Sequence, residues 1–102
     1  MTNTSAAHKR QTGLDAVTVL RALADPVRLD LVRQLRGSET PIACGTFEVT
    51  VAKNTLSHHF KTLREAGVIV TFREGTQAFN VLQEDALQSA FPGLLDSIAP
   101  GD

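Results

Sequence analysis

Between Val51 and Val68 the chain reads V-A-K-N-T-L-S-H-H-F-K-T-L-R-E-A-G-V, and then its periodicity changes. At about 100° per residue, Leu56, Phe60 and Leu63 share a narrow arc, with Ala52 and His59 on its shoulder. Asn54, Ser57, His58, Lys61 and Glu65 point the other way. This predicts an amphipathic helix stopped at Gly67, which tolerates the left-handed backbone of a helix C-terminus. From Val68 the repeat shortens to about two. Val68, Val70 and Phe72 alternate with Ile69, Thr71 and Arg73, Glu74-Gly75 offers a tight turn, and Thr76 to Leu82 resumes with Phe79 and Val81 on one face. A helix followed at once by a β-hairpin is the frame into which the other segments must fit.

Upstream, Leu14, Val17, Leu20, Leu23 and Ala24 recur at helical spacing, predicting a first helix over Leu14 to Ala24. Asp25 is a capping residue and Pro26 suits a first helical turn. A second helix is expected to run to about Arg36, with Val27, Leu31, Val32 and Leu35 inward and Gly37 ending it. Ser38 to Pro41 reads as a turn. Ile42 to Thr50 is expected to form a short or distorted third helix, weakened by Gly45 and β-branched residues. After the hairpin, Glu84 to Ile98 is helical, with Glu84-Asp85 favourable to the dipole at its start. Phe91-Pro92-Gly93 breaks it into two pieces, the second opened by Pro92. The expected organisation is an arm over residues 1–12 carrying His8, Lys9 and Arg10, one domain over 13–98, and a tail over 99–102. In fold class this is mainly α with a β-hairpin (α+β), a winged helix-turn-helix, dimeric.

The 102 residues fit a single domain, and 42% hydrophobic residues without Trp or Tyr make its core aliphatic. No apolar run approaches the length of a membrane span and the N-terminus has no secretory pattern, so a cytoplasmic protein without a membrane partner is expected. The single cysteine, Cys44, excludes an internal disulfide framework. A net charge of -1 argues globally against a nucleic-acid partner. Locally the sign reverses: Lys53, Lys61, Arg64 and Arg73 against Glu65 leave +3 between Lys53 and Arg73, whereas Gln83 to Asp102 holds four acids and no base.

The polar face of the central helix suits a DNA major groove, where Asn pairs with adenine, Ser and His reach base edges, and Lys meets guanine or phosphate. Asn54, Thr55, Ser57 and His58 are the candidate base readers. Lys53, Lys61, Arg64 and Arg73 are phosphate candidates, with Gln77 beside Arg73 near the hairpin tip. His59, on the apolar shoulder, is expected to pack rather than to read or ligate.

L-A-D-P-V-R-L-D-L-V-R-Q-L (Leu23 to Leu35) and L-S-H-H-F-K-T-L-R-E-A-G-V-I (Leu56 to Ile69) resemble the two signature stretches of the ArsR-type bacterial repressors, and the likeness extends over about Leu14 to Leu82. The resemblance implies a homodimer joined through its first and last helices, a recognition helix in the major groove and a wing on the flanking DNA. On that basis Leu14, Val17, Leu20, Leu87, Phe91, Leu94 and Leu95 are the expected dimer contacts, and a two-fold dimer implies double-stranded DNA with a palindromic operator. The family usually carries a capping serine where this chain has Ala52, leaving Thr50 or Asn54 as substitutes.

Metal sensing in the family uses paired cysteines or a terminal-helix Asp/His set. This chain has one cysteine and, in its last helices, Glu84, Asp85 and Asp96 without a histidine, so no metal and no cofactor are expected. A thiol-responsive repressor using Cys44 and a winged-helix protein-interaction module without DNA binding are the alternatives. No phosphate-cradling loop, carboxylate pair or nucleophile–base spacing supports an enzyme. The inducer is unknown from sequence.

Overall fold

The computed structural model describes residues 14–100; the expected N-terminal arm and the end of the tail lie outside the described residues. The chain runs through α1 (Ala16–Leu23), α2 (Pro26–Arg36), β1 (Ile42–Ala43), a 3-10 turn (Cys44–Thr46), α3 (Lys53–Glu65), β2 (Ile69–Glu74), β3 (Gln77–Leu82), α4 (Glu84–Ala90) and α5 (Leu94–Ile98). Each of the first two helices starts on an aspartate. Asp15 Oδ2 accepts from the Thr18 N–H at 3.1 Å, and Asp25 Oδ2 accepts from Val27 and Arg28 at 2.9 and 3.0 Å. These bonds satisfy amide donors that have no intrahelical partner.

The core is aliphatic, with Val19, Leu31, Val32, Leu63, Val68, Leu87 and Leu95 fully enclosed. Among the described residues its one wholly buried polar side chain is Asn80 on β3. Asn80 accepts from the Thr71 hydroxyl at 2.7 Å and donates to the Ile42 carbonyl at 3.3 Å and to Cys44 Sγ at 3.1 Å. It therefore joins β2, β3 and β1.

That junction corrects the reading of Ile42 to Thr50. The sheet has three strands in the order β1-β3-β2, with Ile42 opposite Asn80 and Ala43 opposite Phe79. Only Cys44–Thr46 makes a helical turn, and extended chain follows it to α3. Sheet pairing captures Ile42 and Ala43, and the β-branched residues at 46 and 49–51 favour the extended course.

The hairpin pairs Ile69 with Leu82 through to Glu74 with Gln77 around a turn at Gly75, where φ is +65°. Ile69, Asn80 and Leu82 face the core, while Val70, Phe72 and Val81 are exposed and the rings of Phe72 and Phe79 stack at 5.7 Å. Downstream, the break falls at 91–93 as expected, but the second piece opens two residues later than expected. Gly93, at φ +87°, occupies the N-cap of α5, and Leu94 rather than Pro92 is its first residue.

Candidate nucleic-acid interface

Helix α3 is held from below and left bare above. Phe60 and Leu63 enter the core, and Phe60 packs on Phe47 with ring centroids 5.1 Å apart. At its far end Gly67 adopts φ +82°, and a Cβ there would lie 2.6 Å from a Leu14 methyl. Glycine is thus required twice, for the left-handed turn and for the close approach of Leu14.

His59 is 8% exposed, and its Nδ1 lies 3.1 Å from an Arg28 terminal nitrogen. A guanidinium only donates, so in this contact Nδ1 stands as the acceptor. Arg28 also donates to the Ala22 carbonyl at 2.6 Å and to the Arg21 carbonyl at 3.4 Å. One side chain of α2 therefore ties the end of α1 to the middle of α3. Asp25 completes the junction. Its carboxyl is held below the usual carboxylate value first by the Arg28 N–H and then by the Arg28 charge, against the opposing effect of desolvation. Its contribution to stability is present above the ordinary aspartate pKa and is lost as pH falls through the lowered one.

On the opposite side Lys53, Asn54, Thr55, Ser57, His58, Lys61 and Arg64 are all exposed. Arg73 and Gln77, near the hairpin tip, are exposed as well. Two acids lie near this group: Glu74, beside Arg73 and opposite Gln77 on the hairpin, and Glu65, whose carboxylate lies 3.9 Å from Lys61 Nζ across a single helical turn; both Lys61 and Glu65 side chains are well solvated, so that attraction is weak. Neighbouring His58 and His59 thus have opposite fates, as their 100° separation on the helix dictates. The structure places the base-reading candidates on one continuous, accessible helix face, with the wing candidates on the adjoining hairpin.

A helix-turn-helix domain family matches residues 23–71. The chain is 37% identical to the HTH-type transcriptional regulator YceK of Bacillus subtilis, over 78% of this chain and 82% of that protein. It is 36% identical to the repressor SmtB of Mycobacterium tuberculosis, over 84% of this chain and 62% of that protein. Among solved structures, the repressor BigR of Xylella fastidiosa superposes with a TM-score of 0.64 at 30% identity, covering 96% of both chains. The chain belongs to the ArsR/SmtB family of winged-helix transcriptional regulators. It is a DNA-binding regulator and not an enzyme.

Several ArsR/SmtB-type features depart from the sequence reading. The N-cap of α3 is Ala52 with no side-chain hydrogen bond. Thr50 supplies no substitute cap, while Asn54 Oδ1 accepts from the Thr55 N–H at 3.0 Å. Among the expected dimer contacts, Leu14, Leu87 and Leu95 are buried inside the monomer at 6%, 0% and 0% exposure. Leu14 lies against Gly67, while Leu87 and Leu95 join the apolar core, where Arg36 ties α4 and α5 to α2 by donating to Glu84 at 3.2 Å, Asp96 at 2.7 Å and the Ala99 carbonyl at 3.1 Å. Val17 and Leu20 remain exposed at 57% and 52%, with Phe91 and Leu94 half-buried.

Two positioning residues had no sequence signal. Gln34 grips the backbone of Glu48 from both sides, donating to its carbonyl and accepting from its N–H, each at 3.0 Å. Asn80, described above, was hidden by its polarity in a strand. Among the described residues no group of three His, Cys, Asp or Glu side chains is placed to hold a metal ion, and no helix is long and apolar enough to cross a membrane.

Proposed function

We propose that this chain is a homodimeric, nucleoid-associated repressor that binds a palindromic operator, with Asn54, Thr55, Ser57 and His58 reading bases and Lys53, Lys61, Arg64, Arg73 and Gln77 holding the backbone and flanking DNA. The observation that carries this reading is the exposed polar face of α3, whose apolar side is anchored by Phe60 and Leu63. A helix fixed on one side can present its donors at a defined angle, as groove reading requires. Val17, Leu20, Phe91 and Leu94 offer the remaining apolar surface to a second copy. Two α3 helices related by a two-fold axis would meet successive major grooves about 34 Å apart. The donors present do not favour a transition-metal effector, since Glu84 and Asp96 are already engaged by Arg36.

Selection of bound fragments from the host genome tests the proposal. The expected result is enrichment of an inverted repeat, with affinity that falls steeply as salt rises. Lys61→Ala should weaken specific and random duplexes alike and reduce the salt slope by about one unit. Absence of duplex binding at low salt would leave a protein-interaction module instead.

A further inference from the structure

We propose that the hollow between α3, the 44–51 segment and the hairpin binds an organic anion with an apolar, ring-sized body, and that its occupation competes with DNA. The hollow measures about 680 Å³, within the range of small-molecule sites. Phe47, Leu56 and Phe60 give it an apolar wall, and Lys53, Arg64 and Arg73 line it with positive charge. No acidic side chain lines it, and none of the three cations has an ion-pair partner among the described residues. A small inorganic anion would leave the apolar wall unfilled, and a neutral apolar molecule would make no charge-assisted bond to the cations, so an apolar body bearing an acidic group suits both parts of the lining.

The course of the backbone brings these side chains around the hollow. Where a third helix was expected, the chain makes one turn and then runs extended, pinned at Glu48 by Gln34. From the other side β3 contributes Ala78, whose small side chain leaves the space open. Lys53, Ser57, Arg64 and Arg73 belong both to this lining and to the surface assigned to DNA. A bound anion would neutralise the cations that meet phosphate and would itself repel the backbone. This competition rests on the DNA-binding reading above, whereas occupation of the hollow does not.

Cys44 lines the hollow and is the chain's only cysteine, so its alkylation by iodoacetamide reports occupancy without DNA. With the full chain, saturating 2-naphthoate is expected to slow alkylation by at least roughly tenfold, and neutral 2-naphthamide or inorganic phosphate to do far less. Arg64→Gln should remove most of the advantage of the acid over the amide. Ala78→Leu should fill the hollow and abolish protection while the thermal melt remains cooperative. No protection by millimolar naphthoate, or equal protection by the amide or by phosphate, would overturn the site. On an operator duplex, naphthoate is expected to raise Kd by about tenfold, the loss of one or two charge-assisted phosphate contacts. An unchanged Kd with Cys44 protected would overturn the competition. Protection in a chain that binds no duplex would count against the DNA reading and leave the site standing.

Discussion

At the start of α3 the backbone presents donors that its N-cap residue does not meet. Ala52 holds the extended N-cap conformation, φ -63° and ψ 154°, but has no oxygen to offer. The Asn54–Thr55 contact satisfies one of the free N–H groups. Ala52→Ser is therefore expected to stabilise the domain by about 0.5–2 kcal/mol, seen as a higher denaturant midpoint at unchanged slope. An unmoved midpoint would mean that solvent and Asn54 already meet the need. Residue fates along α3 were legible because they follow from angle alone: His58 and His59 separate as a helical wheel requires. Arg28 and Gln34 were not legible. Their partners, His59 and Glu48, lie 31 and 14 residues away, and nothing in a local pattern says which arginine or glutamine will turn inward.

Among elements, α3 and the hairpin were readable because each is fixed by its own periodicity and its own terminating glycine. The 42–52 segment was not. Its two-residue strand exists through pairing with Asn80 and Phe79, and its extended remainder through the grip of Gln34 on Glu48. A two-residue strand has no period to detect. The segment sets the entry into α3, so its anchor should matter beyond its own stability. Gln34→Ala is expected to cost about 1–2 kcal/mol, by leaving the Glu48 amide groups without protein partners. Amide exchange at Glu48 should accelerate with little change in the centre of α2. Unaltered protection at Glu48 would show that the segment is held by Phe47 packing instead.

For the whole molecule, the sequence showed two apolar stripes at its ends but not which side of each would be used internally. In the structure α4 and α5 fold back onto α2, where Arg36 ties them; Leu87 and Leu95 are core, and Val17 and Leu20 on α1 are exposed. Double substitution Val17→Asp and Leu20→Asp is expected to convert dimer to monomer in sedimentation without loss of helical signal, since neither residue packs in the monomer core. A wild-type monomer at the same concentration would remove the dimer proposal. The charge asymmetry acts at this scale as well. The basic stretch lies on α3 and the wing, and the acids of α4 and α5 are partly consumed by Arg36, so a positive face suited to DNA exists although the chain as a whole is slightly acidic.

The central claim is that the exposed face of α3 reads sequence, and an anisotropy titration of Ser57→Ala and His58→Ala against selected operator and scrambled duplex addresses it most directly. Each substitution is expected to cost about 1–3 kcal/mol on the operator and almost nothing on the scrambled duplex. Equal losses on both duplexes, or no loss on the operator, would contradict it.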